Sequence, residues 1–443
     1  MKRFFSTIKN IFKIEELRTR ILFTLGLILV YRLGAHIVLP GVNPNELDAL
    51  SRQTSEGVLS LLDMFSGGAF SNASIFALGI MPYISASIVV QLLGIAVPYF
   101  QRLQREGESG RKKINQITRY LTIAILLIQA PSYIANLRYQ LPPSAIVGGL
   151  NFTISSTIIL TAGTMFILWL GERITDKGIG NGISLIIMVG IIARLPYALG
   201  REFVTRFEGV GGGLLILLVE LVVLFIVFVF AIALVQAVRK IPVQYAKRVV
   251  GNKQYGGVRQ YIPLKVNAAG VMPIIFAQAL MFLPIMFAGF SSDGGGFLAA
   301  FSDYTGFWYN FTFAVLIIVF TYFYTAVTIN PTQMAEDMKK NGGFIPGVKP
   351  GRKTVEFLDD IMSKITLPGS IFLAIIAILP AFARMLNVDT QFAQFYGGTS
   401  LLILVGVILD TLQQIESHLL MRHYDGLTKT GRIKGRGSAV TAI

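Results

Sequence analysis

Ten stretches of this chain, residues 21–39, 75–98, 120–137, 152–170, 183–199, 214–238, 268–290, 307–329, 367–382 and 399–420, are each close to the length and apolarity that a membrane crossing demands. About 20 residues at 1.5 Å rise cover about 30 Å of hydrocarbon, and a backbone with no water to bond must satisfy itself as helix. The fifth and ninth stretches are the shortest. Composition agrees: 53% of the 443 residues are hydrophobic and 14% charged, against roughly 25% charged in soluble domains. Too few charges remain to cover soluble cores, and disorder, coiled coil and collagen are excluded. The expected fold class is an all-α polytopic membrane protein.

Basic residues set the orientation. Of 39 Lys and Arg, 32 fall in the six segments 1–20, 99–119, 171–182, 239–265, 330–366 and 421–443, which alternate spans place on one side. The positive-inside bias makes that side, and both termini, cytoplasmic. The first apolar run is of spanning length without a small-x-small cleavage site and reads as a retained anchor. Before it, Phe4, Phe5, Ile8, Ile11 and Phe12 share one helical face, as in an interfacial amphipathic helix. Division at the loop 201–213 gives an N-terminal half, 1–205, and a C-terminal half, 206–443, with five spans each. An odd number per half inverts the second half relative to the first, an arrangement that puts a working site between them.

Chemistry is sparse. With no Cys, and His only at His36, His418 and His423, thiol nucleophiles, disulfides and histidine metal centres are not expected. Gly107–Lys112 lacks the spacing of a phosphate loop, and the glycines at Gly178–Gly182 follow a membrane helix and read as a tight turn. No catalytic constellation, cofactor or metal site can be assigned. The ionisable groups at membrane depth, Arg32, Glu220 and Asp410, have no evident partner and read as structural rather than ion-coupling.

Two basic segments are too long for simple turns. Residues 239–265 carry seven basic and no acidic residues, and Gly251-Asn252 predicts a hairpin between Val249-Val250 and Lys253-Gln254-Tyr255. Residues 330–366 bend at Pro346–Gly351. Contact with anionic lipids and docking of a large acidic or RNA-containing partner are both open readings. Residues 57–72, apolar but broken at Ser66-Gly67-Gly68, read as a re-entrant segment able to plug a pore.

The strings 76–93 (FALGIMPYISASIVVQLL), 105–120 (REGESGRKKINQITRY), 174–185 (ITDKGIGNGISL), 263–273 (PLKVNAAGVMP) and 395–403 (FYGGTSLLI) resemble the SecY family of protein-conducting channels. The resemblance covers nearly the whole chain. It implies ten transmembrane helices in two inverted halves around an hourglass pore, opening sideways between spans two and three on one side and seven and eight on the other. It implies passage of unfolded secretory polypeptides, lateral release of membrane segments into lipid, and no enzymatic activity. The implied partners are the small membrane subunits SecE and SecG, the SecA ATPase, the ribosome, signal peptides and anionic lipids. A bacterial plasma membrane is the expected location, and a secondary transporter of solutes or ions is the alternative.

Residue by residue, the resemblance selects a pore ring of Ile80, Ile84, Ile183, Ile187, Ile275 and Ile403. Branched aliphatic side chains offer an ion no ligand and disfavour water. It selects a plug of Leu61, Leu62, Asp63, Met64, Phe65, Ser66, Gly67 and Gly68, and a lateral gate bearing Ser85, Ser87, Gln91, Gln129 and Gln278. Docking falls to Arg239, Lys240, Lys247 and Arg248 on the first loop and to Lys349, Arg352 and Lys353 on the second. Lys349 stands where relatives carry Arg, keeping the charge without the planar fork.

Overall fold

The computed structural model describes residues 14–47, 63–142, 145–146, 149–208, 213–245, 248–250, 253–255, 259–278, 280–281 and 306–430. Most of the apolar length described is helix. The first half contains α1 (Glu15–Gly34), α2 (Met81–Ala96), α3 (Pro98–Arg105), α4 (Glu108–Gln140), α5 (Leu150–Lys177) and α6 (Gly182–Glu208). The second contains α7 (Gly213–Gln236), α8 (Phe307–Thr328), α9 (Pro331–Lys340), α10 (Arg352–Met385), α11 (Thr390–Ala393) and α12 (Gly398–Thr430).

Among the described residues, seven helices are long and apolar enough to cross a membrane, or eight if α2 and α3 form one bent span. That pair bends by 102° because Val97, held extended at φ −110° and ψ 120° before Pro98, cannot continue the helix. The two remaining expected spans are helical in part: α1 ends at Gly34, before the expected end at 39, and residues 268–271 are turns ahead of the helical stretch 272–278. α4 and α10 begin more than a turn ahead of their expected spans, so their charged first turns stand beyond the apolar length.

Strands qualify the all-helical expectation. β1 (Val238–Tyr245) pairs antiparallel with β4 (Arg259–Lys265), Arg239 opposite Leu264 and Gln244 opposite Arg259. β5 (Gly343–Phe344) adds to the other edge of β1, with Gln244 opposite Phe344. The sheet therefore joins the two long basic segments into one body. Ile241, Val243 and Leu264 pack with Ala335 and Met338 of α9 and with Leu358 and Met362 of α10. The expected hairpin forms as β2 (Arg248–Val250) and β3 (Lys253–Tyr255), Val250 opposite Lys253.

Three apolar clusters organise the rest. One lies within the first half, from Leu39 and Phe70 to Tyr133, Leu137 and Phe152. A second lies within the other half, joining Val227, Ile274, Ile317, Leu373 and Leu402. The third crosses between halves, from Tyr31, Phe76 and Ile187 to Phe392, Tyr396 and Ile403. The amphipathic face before α1, Leu61 and Leu62 of the plug, and Lys247 lie outside the described residues.

Candidate functional site

The isoleucines selected from the sequence come from four places in the chain. Ile84 lies on α2, Ile183 and Ile187 on α6, Ile275 in the helical stretch 272–278, and Ile403 on α12. All five line one cavity of about 440 Å³, together with Val271, Leu402 and Val407. Ile80, immediately before α2, is buried in the cluster shared by the halves, where Met64, Ile187 and Ile403 lie and against which Phe65, Ile84 and Ile183 pack. The cavity continues to Asn181, Ser184, Lys265, Asn267 and Asp410, so the end nearest the sheet is polar.

The segment read from the sequence as a plug meets the apolar cluster through Met64 and Phe65. Residues 63–65 form a short helical piece followed by turns, and Asp63, Met64 and Ser66 are buried. Short range order comes from Asp63, whose Oδ1 accepts from the Ser71 amide at 2.8 Å. Longer range anchors come from α1 and α6. Tyr31 donates its hydroxyl to the Ser66 carbonyl at 3.2 Å and Arg32 Nη1 donates to the Gly67 carbonyl at 2.9 Å. Arg194 forms an ion pair with Asp63 and donates to Ser71 Oγ at 2.7 Å. Gly67 has φ +65°, and a Cβ there would stand 2.8 Å from Gly190 Cα. The Ser66-Gly67-Gly68 break thus lets this backbone lie directly on α6. Arg32 has a hydrogen-bond partner, and Arg194 is a contact of Asp63 and Ser71 that no local pattern announced.

Of the polar residues selected for the gate, Gln91 alone makes a described side-chain bond between α2 and the second half: Tyr324 of α8 donates to Gln91 Oε1 at 2.7 Å. Phe276 packs on Tyr324 and Phe320, with ring centroids at 5.9 and 5.6 Å. Gln278 instead accepts from Thr399 of α12 at 3.3 Å. Ser85 bonds its own helix at Met81, Ser87 faces the cavity, and Gln129 is exposed on α4.

Glu220 corrects the sequence reading, for it does have an ion-pair partner. Arg206 bridges it to Glu202, with Nε to Glu202 Oε1 at 2.7 Å. All three are buried. Glu202 also accepts from the Asp389 amide at 2.7 Å, and Tyr396 donates to the Glu220 carbonyl at 2.8 Å. This network pins the ends of α6 and α7, where the halves join, to the approach to α12. Asp410 opens on the cavity.

On the sheet side, Arg239 and Lys240 are exposed on β1, as are Lys349, Arg352 and Lys353 around the start of α10. Arg352 and Lys353 share Glu356 at 3.3 and 3.2 Å. Arg248 lies on β2. Among the described residues no group of His, Cys, Asp and Glu is placed to hold a metal ion.

A polytopic helical protein with a cavity walled by isoleucines from both halves has the architecture of a channel. The chain matches the SecY family over residues 74–412 and belongs to it. It is 42% identical to the protein translocase subunit SecY of Thermotoga maritima, over 97% of this chain and 99% of that one. Its identity to the SecY of Halalkalibacterium halodurans is 46%, over 96% and 100%. Its fold resembles a solved protein-conducting channel with TM-score 0.58, at 16% identity over 93% of this chain and 95% of that one. Sec61 in a canine ribosome–channel complex is similar at TM-score 0.54, again at 16% identity over 93% and 95%.

Proposed function

We propose that this chain is the channel of a bacterial protein translocase, passing unfolded polypeptides between its halves and releasing apolar segments sideways into lipid. It is a channel and not an enzyme; its energy comes from partners. One observation carries the assignment of the pore: Ile84, Ile183, Ile187, Ile275 and Ile403, drawn from both halves, converge on one cavity, beside which Met64 and Phe65 pack with Ile80. Such a collar disfavours ions and water yet yields to a chain.

The other roles follow from the same frame. Residues 1–205 and 206–443 act as the inverted halves, a reading supported by one apolar cluster within each and a third between them. Residues 61–68 act as the plug, and α2 and α4 part from the helix at 272 and from α8 to open the gate. Arg239, Lys240, Lys247, Arg248, Lys349, Arg352 and Lys353 receive SecA or the ribosome, while SecE and SecG complete the membrane complex. The ribosome-bound channel among the similar structures supports that docking reading. The location is the bacterial plasma membrane, with both termini cytoplasmic.

The test is planar-bilayer conductance of the reconstituted complex. Ile84→Asn with Ile275→Asn should wet the collar and raise resting ion current, and should admit clients with poorly apolar signal sequences. Resting conductance equal to that of the parent protein would remove these isoleucines from the seal.

A further inference from the structure

One buried polar group on the cavity wall is left over from the hydrogen bonding of the described residues. Asn267, in the turn between β4 and the helix at 272, is 7% exposed, and among the described residues its Oδ1 has no hydrogen-bond partner. A buried acceptor left unpaired costs about 1–3 kcal/mol. Asn267 lines the cavity together with Ser87 of α2 and Asn181 and Ser184 of the α5–α6 turn and α6. Asn181 accepts from the Ser184 amide through Oδ1 at 3.3 Å, which leaves its NH2 to donate. Ser87 stands three residues beyond Ile84, about one turn along the same helix. An acceptor from one half and neutral donors from the other therefore lie beside the collar.

The chemistry selects the ligand. An amide oxygen together with amide and hydroxyl donors complements the N–H and C=O of a peptide unit, which every extended polypeptide carries whatever its sequence. Charged side chains would instead find Asp410 and Lys265, which line the same cavity. We propose that Asn267, with Asn181 and Ser87, forms a main-chain binding site that holds successive peptide units of a polypeptide beside the isoleucine collar. The proposal rests on the channel reading and adds to it a residue set that resists back-slipping independently of client sequence.

The experiment uses the full complex in proteoliposomes and a client stalled by a folded domain. The segment held at the collar is either an ordinary alanine–serine run or the same run N-methylated, which removes its N–H donors. After the energy source is withdrawn, the ordinary client should slip back about three- to tenfold more slowly than the methylated one, the worth of one hydrogen bond. Asn267→Ala should bring the two rates together. If that variant fails to assemble, Ser87→Ala, which truncates a half-buried hydroxyl, must speed the slipping of both clients alike, because the C=O to which it donates survives methylation; unchanged rates in that variant would equally overturn the site. Equal slipping of the two clients in the parent protein, or a difference unchanged in Asn267→Ala, would mean that water alone satisfies Asn267 and would overturn the site. Failure of the parent complex to move the ordinary client at all would overturn the channel reading, and the site with it.

Discussion

The Tyr324 hydroxyl donates to Gln91 Oε1 across 2.7 Å, joining α8 to α2 at the seam between the two halves. A single neutral hydrogen bond between membrane helices is worth about 1 kcal/mol, enough to bias a gate closed and weak enough to break when an apolar segment intercalates. Tyr324→Phe keeps the ring packed against Phe276 and removes only the donor. It should increase translocation of clients with weakly apolar signals by about fivefold, the equivalent of about 1 kcal/mol. In the double variant with Gln91→Leu, the two single effects should fail to add, because each breaks the same bond. Strict additivity would show that the contact does not hold the seam.

For the proposed plug, retention depends on a different kind of contact. Arg194 reaches Asp63 over 131 residues of sequence, and both side chains are largely withdrawn from solvent. Removing one member of a buried pair leaves an uncompensated charge, at a cost of about 3–5 kcal/mol, whereas replacing both costs much less. Asp63→Ala should therefore give a flickering, leaky resting channel. Asp63→Ala combined with Arg194→Leu should leak less than Asp63→Ala alone. Single-channel recording distinguishes the orders; a double variant leakier than either single one would assign plug retention to other contacts.

Legibility in the sequence tracked the range of the interaction. Apolar length revealed the seven or eight candidate membrane helices among the described residues, and the local Gly251-Asn252 signal revealed the hairpin of β2 and β3, because each is decided within about 20 residues. The sheet of β1, β4 and β5 was not legible. Pro242 and the basic pair Arg239-Lys240 obscure strand alternation in β1, and the Gln244 to Phe344 pairing spans 100 residues. The same limit hid Arg194 and Tyr324, whose partners lie on distant helices. The collar isoleucines look like ordinary packing one at a time; family resemblance selected them, and five of them share a cavity. Glu202 and Arg206 stood one helical turn apart and in plain view, but Glu220 was read as unpartnered because hydropathy does not reveal which neighbouring helix faces it.

That buried network gives a stability prediction. The Arg206 guanidinium bonds Glu202 and Glu220 at once, a geometry that suits a planar fork and not a point charge. Arg206→Met leaves two buried carboxylates facing each other and should destabilise the protein by about 3–5 kcal/mol. Arg206→Lys should fall between, and Glu220→Gln, which keeps an acceptor, should be mildest. Thermal unfolding in detergent ranks the three. A Glu220→Gln variant as unstable as Arg206→Met would contradict a bridge centred on arginine.

The proposed docking surface makes the last prediction, because its exposed cations are not equivalent. Arg352 and Lys353 are both held by Glu356, at 3.3 and 3.2 Å, so part of their field is already answered. Among the described residues Lys349 forms no ion pair, and its carbonyl accepts from Thr354 Oγ1 at 3.0 Å, which fixes the bend before α10. Lys349→Glu should therefore weaken binding of SecA or the ribosome more than Lys353→Glu does. Measured in detergent, where no anionic bilayer competes, both losses should shrink as salt rises, since exposed charges are screened beyond about 10 Å at 0.1 M. Lys349→Arg supplies a planar fork in place of a point charge and should hold or tighten binding. Attraction to lipid alone would leave all three variants indistinguishable in detergent, and loss of binding in Lys349→Arg would mean that the partner surface is fitted to the compact ammonium.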